Sequence, residues 1–293
     1  MARRDPFSFA TRAAEAIIRD ELRISRLQDI DPRSIAEERG IRVEPMPETY
    51  DGVSGMLIKR GDDFFIAYNT FIKSKGFQRF SVAHEIGHYC LEGHVDALLP
   101  FGTERHVSHG GFMSDDRYER EADHFAAGLL MPEHLFRPAM DSAAEGLDAI
   151  ESLHTLCGTS LTATAIRYQE LTDEAVAVIQ CAGNRIEFCC MSERMLGLHP
   201  RRWPRRGDPV PRNTAAGVLH ASSNRIASSE RLDREADGAD WFGSFDDVEL
   251  FEETVGMGDY GRTLTILTTV DALPDDDGDD SDALWNRSSQ SGR

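Results

Sequence analysis

The sequence predicts an α+β fold: a small antiparallel sheet with helices around it, then a helix pair, then a smaller C-terminal α/β module. Three observations lead to this prediction. Segments with helical periodicity alternate with pairs of β-rich segments separated by glycine-containing turns. Hydrophobic residues make up 40% of the 293-residue chain, enough for a core, which excludes a globally disordered protein. A chain of this length corresponds to about two domains at roughly 150 residues each.

The N-terminal segment is predicted to contain two helices and a short strand. Apolar residues recur at helical spacing over residues 9–26. Asp31 and Pro32 predict a helix start, with Asp31 as the N-cap and Pro32 at the first helical position. Gly40 is expected to end that helix, because glycine adopts the left-handed conformation that follows many helices. A short strand should then begin at 41–43.

The next segment is predicted to contain a β-hairpin and two helices. Residues 53–59 and 64–68 are β-rich and flank a short loop with glycine, which indicates a hairpin. Helices are predicted over 77–93 and 115–130. The stretch 94–114 between them is polar and rich in glycine, so we expect a loop there.

A helix pair and a second hairpin complete a predicted first domain of residues 1–194. The helices are expected at 147–157 and 161–171, on either side of a turn that contains glycine. The hairpin is expected to pair 175–181 with 185–190.

Residues 195–272 are predicted to form a smaller C-terminal module, a candidate sensor or partner domain. Its start is rich in arginine and proline, which indicates a domain boundary. A third hairpin is predicted within it, between 248–255 and 262–270. The last segment, 273–293, has runs of aspartate and a Ser/Gly-rich end, which predicts a disordered acidic tail.

The composition argues against nucleic acid and membrane as partners. The formal net charge is −19, with 32 Lys and Arg against 51 Asp and Glu, whereas nucleic-acid binders usually present a basic surface. We find no apolar run near the ~20 residues that cross a bilayer and no apolar segment typical of a signal peptide. The one dense basic cluster is expected in a solvated loop. It consists of Arg201, Arg202, Arg205 and Arg206.

The cysteines predict reduced thiols in a cytoplasmic protein. Their number is odd and no C-x-x-C pair occurs, so we expect neither a disulfide framework nor a cysteine zinc site. The residues are Cys90, Cys157, Cys181, Cys189 and Cys190.

The most informative segment is His84-Glu85-Ile86-Gly87-His88, an H-E-x-x-H motif within a predicted helix. Helical spacing places His84 and His88 one turn apart on the same face, so both imidazoles can bind one ion. Glu85, beside the first ligand, is then the base that takes a proton from the attacking water. Gly87 costs about 1 kcal/mol relative to Ala inside a helix, a cost that a close approach of another backbone would explain.

A third metal ligand is needed, and two residues are candidates. His94 follows His88 at the spacing of the metzincin pattern, but this chain has Leu91 where that pattern has glycine, so the turn would come too late. Glu119 lies on the next long helix, four residues before Asp123 and on the same face. This pair resembles the gluzincin arrangement, in which the first carboxylate binds the metal and the second accepts the far N–H of a ligand histidine.

Two segments together resemble the signature of the ImmA/IrrE-type metallopeptidases. They are QRFSVAHEIGH at 78–88 and EREADHFAAGLLMP at 119–132. The resemblance extends over residues 13–190. It implies a zincin-like peptidase domain that holds zinc, with manganese as the alternative. It also implies that Glu119 is the third ligand and that Asp123 supports a ligand histidine.

The resemblance further implies a biological role. Peptidases of this family are cytosolic, and their known targets include helix-turn-helix repressors whose cleavage releases stress-response or mobile-element genes. For this chain the implied partner is therefore a protein substrate, namely a small repressor of that kind, and neither nucleic acid nor a membrane is an expected partner.

Some roles stay open from the residues alone. Four side chains are candidates for the group that stabilises the oxyanion. They are Tyr89, His106, His109 and Tyr118. The hairpin strand before the active helix is a candidate edge for pairing with an extended substrate. Two other functions compete: a DNA-binding regulator that uses the helix pair at 147–171, and a metal-binding sensor or interaction module. Glu85 favours catalysis, because structural zinc sites usually have four protein ligands and no use for a base.

Overall fold

The structure is a computed structural model that describes residues 7–47, 50, 52–109, 116–243 and 248–270. The predicted acidic tail lies outside these residues, as does part of the glycine-rich stretch before residue 116. The described α-helices follow in chain order. They are α1 (Ser8–Ala16), α2 (Pro32–Glu38), α3 (Lys75–Cys90), α4 (His94–Leu98), α5 (Arg117–Leu130), α6 (Glu133–Asp141), α7 (Gly146–Cys157), α8 (Leu161–Leu171), α9 (Glu193–Gly197), α10 (Ala215–His220), α11 (Ser223–Ala227) and α12 (Gly238–Phe242).

The described strands form two sheets, which confirms the α+β class. The strands are β1 (Arg42–Pro45), β2 (Val53–Arg60), β3 (Asp63–Tyr68), β4 (Arg105–His109), β5 (Val176–Ala182), β6 (Arg185–Met191), β7 (Arg231–Asp237), β8 (Glu249–Gly256) and β9 (Arg262–Thr269). The N-terminal sheet has the order β1-β3-β2-β4 and the C-terminal sheet the order β6-β5-β9-β8-β7.

The N-terminal sheet is mixed, so the prediction of an antiparallel sheet is wrong for one of its pairs. Strand β2 is antiparallel to both β3 and β4, but β1 is parallel to β3. The reason is topological. Strand β3 lies between β1 and β2, although it follows both in the chain. It is antiparallel to β2, its partner in the hairpin, and it therefore runs in the same direction as β1 on its other side.

Local signals placed the turns and caps well. The Asp31 side chain accepts hydrogen bonds from two backbone N–H groups of α2, and Gly40 after that helix has a φ of 74°. The hairpin turns have left-handed residues at Gly61 and at Gly183 with Asn184, so both hairpins follow the predicted segments. The predicted helix at 9–26 is shorter: α1 ends at Ala16 and continues only as a π-helical turn, Ile17–Glu21.

Two strands were missed, both at sheet edges. Strand β4 lies in the stretch predicted as a loop, and β7 is composed largely of charged residues. Edge strands tolerate charges and lack a strong apolar alternation, so composition does not reveal them. The strand before the active helix, β3, is an interior strand, so the prediction that it offers an edge to substrate is wrong.

The second hairpin belongs to the C-terminal sheet. Strand β5 pairs with β9 from Val176↔Thr268 to Ala182↔Arg262. The predicted boundary after residue 194 therefore falls within one sheet. Residues of β5 alternate between two cores: Val176 and Val178 pack with the N-terminal helices, whereas Ala177 and Ile179 pack in a second core with α9 and α12.

Candidate metal centre

Helix α3 carries the H-E-x-x-H motif deep inside the molecule. Ser74 caps the helix by accepting a hydrogen bond from the Phe77 N–H, and residues 81–88 are all buried. A close approach of another backbone, one explanation for Gly87, is present: a Cβ there would lie 3.2 Å from both the Ala122 Cα and the Phe125 Cβ of α5. Glycine thus lets α5 pack against the motif and brings its carboxylates to the histidines.

His84, His88 and Glu119 converge into one cluster. The two histidine Nε2 atoms lie 3.0 Å apart. Glu119 Oε2 is 3.4 Å from His84 Nε2, and Glu119 Oε1 is 3.4 Å from His88 Nε2. For bonds of about 2.05 Å, the edge of a tetrahedral zinc site measures about 3.3 Å. The three donor atoms therefore have the spacing of a metal site, and two imidazoles with one carboxylate form a donor set that suits zinc.

The cluster also favours positive charge electrostatically. Hydrogen bonds to Asp123 and Glu119 outweigh burial and raise the pKa of His84 to about 10. Burial would raise the pKa of Glu119, but hydrogen bonds from His106 and His84, together with the charge of His84, keep it well below its usual range. Burial lowers the pKa of His88 to about 3, so its ring is neutral at pH 7. A half-buried carboxylate that stays ionised beside two imidazoles fits a site for a divalent cation.

Asp123 occupies the supporting position predicted for it. Its Oδ1 lies 2.8 Å from His84 Nδ1, the nitrogen on the far side of the ring from the cluster. A carboxylate accepts, so His84 Nδ1–H donates this bond and the ring is held in one orientation.

Glu85 is a fully buried carboxylate beside the cluster. Neither of its oxygens makes a hydrogen bond of ordinary geometry within the described residues. The Ser108 hydroxyl, which is also buried without such a bond, lies close enough to oppose the effect of burial on the Glu85 carboxylate. Burial raises the pKa of Glu85 to about 7 against the opposing effect of the His84 charge. Space for the side chain comes from Gly55 on β2, since a Cβ there would lie 2.5 Å from Glu85 Oε1.

Strand β4 supplies the side chains opposite α3. Alternation along the strand turns His106 and Ser108 toward the same face. His106 Nε2 lies 2.8 Å from Glu119 Oε1, and its ring packs edge-on to that of His88 with centroids 4.8 Å apart. His106 is thus the member of the predicted oxyanion group that lies at the cluster.

The other candidates for that role lie elsewhere. The Tyr89 ring packs edge-on to Phe64, and the Tyr118 ring packs against His94. His109 ends β4 and is exposed. His94, the alternative third ligand, lies behind His88: its Nδ1 is 3.0 Å from His88 Nδ1, on the side away from the cluster. Glu119 therefore holds the position that the metzincin alternative would have given to His94.

Sequence reasoning missed some contributors to the site. Helical spacing turns Glu121 about half a turn away from Glu119 and gives it no role at the site, but its side chain is buried and lies 2.9 Å from His94 Nε2. Sequence reasoning also missed Gly55 and Ser108, which adjoin Glu85. Only the polar alternation of His106 and Ser108 around Val107 signalled a strand there.

A cavity of about 700 Å³ lies apart from the cluster of His84, His88 and Glu119. It opens where the N-terminal sheet and the start of α3 face the C-terminal sheet. Its lining includes Asn69, Phe77, Phe188, Arg206 and Tyr260. His84, His88 and Glu119 do not line it.

The comparisons with known proteins agree with this geometry. Residues 36–168, just under half of the chain, match the family model of the IrrE N-terminal-like domain, Peptidase_M78. This segment therefore belongs to the ImmA/IrrE-type peptidase family, as the two motifs indicated, and the family together with the cluster supports a metal-dependent peptidase.

The similarity in fold extends beyond the family domain. The chain is similar to the solved structure of a Mycobacterium tuberculosis transcriptional regulator, with a TM-score of 0.58 over 89% of this chain and 76% of that chain. The identity is 14%, so this likeness shows a shared fold only. No curated protein matches the sequence. Within the described residues, no helix has both the length and the apolar character needed to span a bilayer.

Proposed function

We propose that this protein is a zinc-dependent endopeptidase with a zincin-like catalytic domain. The observation that carries the proposal is the cluster of buried His84 and His88 with half-buried Glu119. Beside it lies the buried carboxylate of Glu85, whose oxygens have no hydrogen-bond partner among the described residues. Structural zinc sites have four protein ligands and no adjacent base, whereas catalytic sites have three ligands and leave a position for substrate. Manganese is the alternative metal, because the donor set does not exclude it.

The residues divide the work of peptide hydrolysis among them. A zinc ion held by His84, His88 and Glu119 would supply the Lewis acidity that polarises the peptide carbonyl. Glu85 takes a proton from water as the water attacks the carbonyl carbon, and then gives that proton to the leaving amine. His106 is the group on the opposite wall that can donate to the developing oxyanion. Its position beside Glu119 supports that role.

The substrate-binding edge is strand β4. One side of β4 pairs with β2, and no described strand pairs with the other side. An extended peptide that added to this edge would run along His106 and Ser108 and past Glu85. This assignment replaces the interior strand β3 as the pairing edge.

The proposed substrate is a small helix-turn-helix repressor in the cytoplasm. Support comes from the family of the catalytic segment, whose targets include such repressors, and from the negative charge of the chain, which disfavours DNA as the direct partner. Cleavage would derepress stress-response or mobile-element genes. Residues 195–272 remain the proposed sensor or partner module, although the strands of the second hairpin join their sheet.

Incubation with a small repressor encoded next to this protein tests the proposal. We expect cleavage in the presence of zinc and none after a chelator removes the metal. Excess zinc should restore cleavage, and an excess of calcium should not, because the donor set is rich in nitrogen. An intact repressor in every tube would contradict the proposed activity and favour the alternative of a non-catalytic sensor or interaction module.

That alternative has one observation in its favour. The cavity of about 700 Å³ between the two sheets has the size of a small-molecule site. The other rival, a DNA-binding regulator, loses support from α8. Its single cation, Arg167, is buried and donates to the Met131 carbonyl and to Glu15, so it does not face a phosphate backbone.

A further inference from the structure

Behind His88 lies a chain of buried polar side chains that the proposed mechanism does not use. His88 Nδ1 is 3.0 Å from His94 Nδ1, and His94 Nε2 is 2.9 Å from Glu121 Oε2. The side chains of both histidines are fully buried, and that of Glu121 is 4% exposed. At the outer end, Arg117 donates to the second Glu121 oxygen, and its own side chain is 75% exposed. The chain thus runs from the cluster to the surface.

The proton positions in this series of hydrogen bonds can be assigned by starting from Arg117, at its exposed end. Arg117 donates to one oxygen of Glu121 and His94 contacts the other, and a carboxylate paired with a guanidinium accepts hydrogen bonds. His94 Nε2 must therefore carry the proton that it donates to Glu121. A neutral His94 then has a bare Nδ1, which can only accept, so the contact at 3.0 Å requires a proton on His88 Nδ1. His88 Nε2 is left bare, and this atom faces the cluster.

His84 is oriented by a single carboxylate, without a second histidine in between. Asp123 accepts from His84 Nδ1–H directly, at 2.8 Å, so His84 also presents Nε2 to the cluster. The two ligand histidines thus have different hydrogen-bond partners. His84 contacts the carboxylate of Asp123 directly, whereas His88 contacts the imidazole of His94, which in turn contacts the carboxylate of Glu121.

We propose that His94 and Glu121 are positioning residues for the metal ligand His88. They hold its ring in the tautomer whose Nε2 lone pair points into the cluster, and Glu121 makes that nitrogen more basic through His94. This inference rests on the proposed function, since it assigns a role toward the metal of that same site. The turn after α3 allows His94 to reach His88. Gly93 has a φ of 81° and turns the chain back, so that His94, the first residue of α4, lies beside His88.

Zinc affinity measured by chelator competition on the full chain tests the proposal. His94→Phe keeps a ring but removes the acceptor, and we expect a loss of about 10–100-fold in affinity. His94→Asn places an amide oxygen near the position of Nδ1 and should recover most of that loss. His134→Gln, on the exposed face of α6, is the matched control and should bind like the wild type. Thermal melting in the presence of zinc checks that each variant is folded.

A second readout separates positioning from packing. Nitrogen NMR of the histidine rings in the metal-free protein should show His88 protonated at Nδ1 and bare at Nε2, and His94→Phe should populate the opposite tautomer. Wild-type affinity in folded His94→Phe, or a wild-type His88 bare at Nδ1, would overturn the inference. If the wild type binds no zinc, the proposed function fails, and the NMR assignment still decides whether the chain orients His88.

Discussion

Two buried carboxylates, Glu85 beside the metal cluster and Glu252 in the C-terminal sheet, differ in their surroundings. Both are fully buried, and burial raises the pKa of each. Glu252 accepts hydrogen bonds from the N–H groups of Ala215 and Ala216 at 2.9 and 3.1 Å, so it caps α10. Glu85 has no hydrogen-bond partner among the described residues. The hydrogen bonds of Glu252 stabilise the fold, whereas the carboxylate of Glu85 has the surroundings that the proposed role of a base requires.

Burial alone does not distinguish a candidate catalytic carboxylate from a structural one. Glu253, next in the chain, is also buried and satisfied, since it accepts from the Leu147 N–H at 2.9 Å and from Arg231 at 2.7 Å. Buried polar groups in native proteins nearly always have partners, so an exception beside a cluster of metal-binding residues is informative.

The largest effect is expected from removal of a metal ligand. His88→Ala deletes one of the three donors and should abolish stoichiometric zinc binding together with cleavage. Elemental analysis of the purified variant measures the first effect. Full zinc retention by this variant would show that His88 is not a ligand.

The next effect separates chemistry from metal binding. Glu85→Gln removes the base but keeps the shape of the side chain. Cleavage should fall by about 10²–10⁴-fold, while zinc content stays that of the wild type. Because an unpartnered buried charge is removed, the free energy of unfolding should stay the same or increase. Cleavage at the wild-type rate would refute the general-base assignment.

For Glu252, whose carboxylate has hydrogen-bond partners, we expect a loss of stability and no loss of zinc. Glu252→Ala leaves the first N–H groups of α10 without an acceptor and should lower the free energy of unfolding by about 1–3 kcal/mol. Denaturant unfolding measures this loss, and zinc content should not change. A variant as stable as the wild type would remove the contrast with Glu85.

The smallest effect concerns the space that Glu85 occupies. Gly55→Ala places a Cβ 2.5 Å from Glu85 Oε1, which is shorter than a van der Waals contact, so the carboxylate must move. Cleavage should fall by up to about 10²-fold, because displacements near 1 Å in a catalytic group have effects of this size. Gly197→Ala is the matched control, since nothing lies within 4 Å of a Cβ there. Equal activities of the two variants would show that Gly55 does not position Glu85.

The local part of this architecture was predictable from the chain. The spacing of His84, Glu85 and His88 needs only a helix, and the carboxylates of Glu119 and Asp123 share a face for the same reason. Caps such as Asp31 and turns such as Gly183-Asn184 also depend on neighbouring residues only. These predictions agree with the structure because the forces behind them act within a few residues along the chain.

Contacts between distant segments were decided by the tertiary structure. Strand β4 has only a short polar alternation as a local signal, yet it forms the wall opposite α3 because β2 pairs with it. The second hairpin joined the C-terminal sheet because β9 offered a partner for β5. His94 lies between His88 and Glu121 because the turn at Gly93 brings it next to a carboxylate of α5 that is 27 positions further along the chain. Sequence alone therefore determined which residues are candidates for metal ligands and for a base. Packing determined which of them meet, since burial and proton positions depend on neighbours that are remote in the chain.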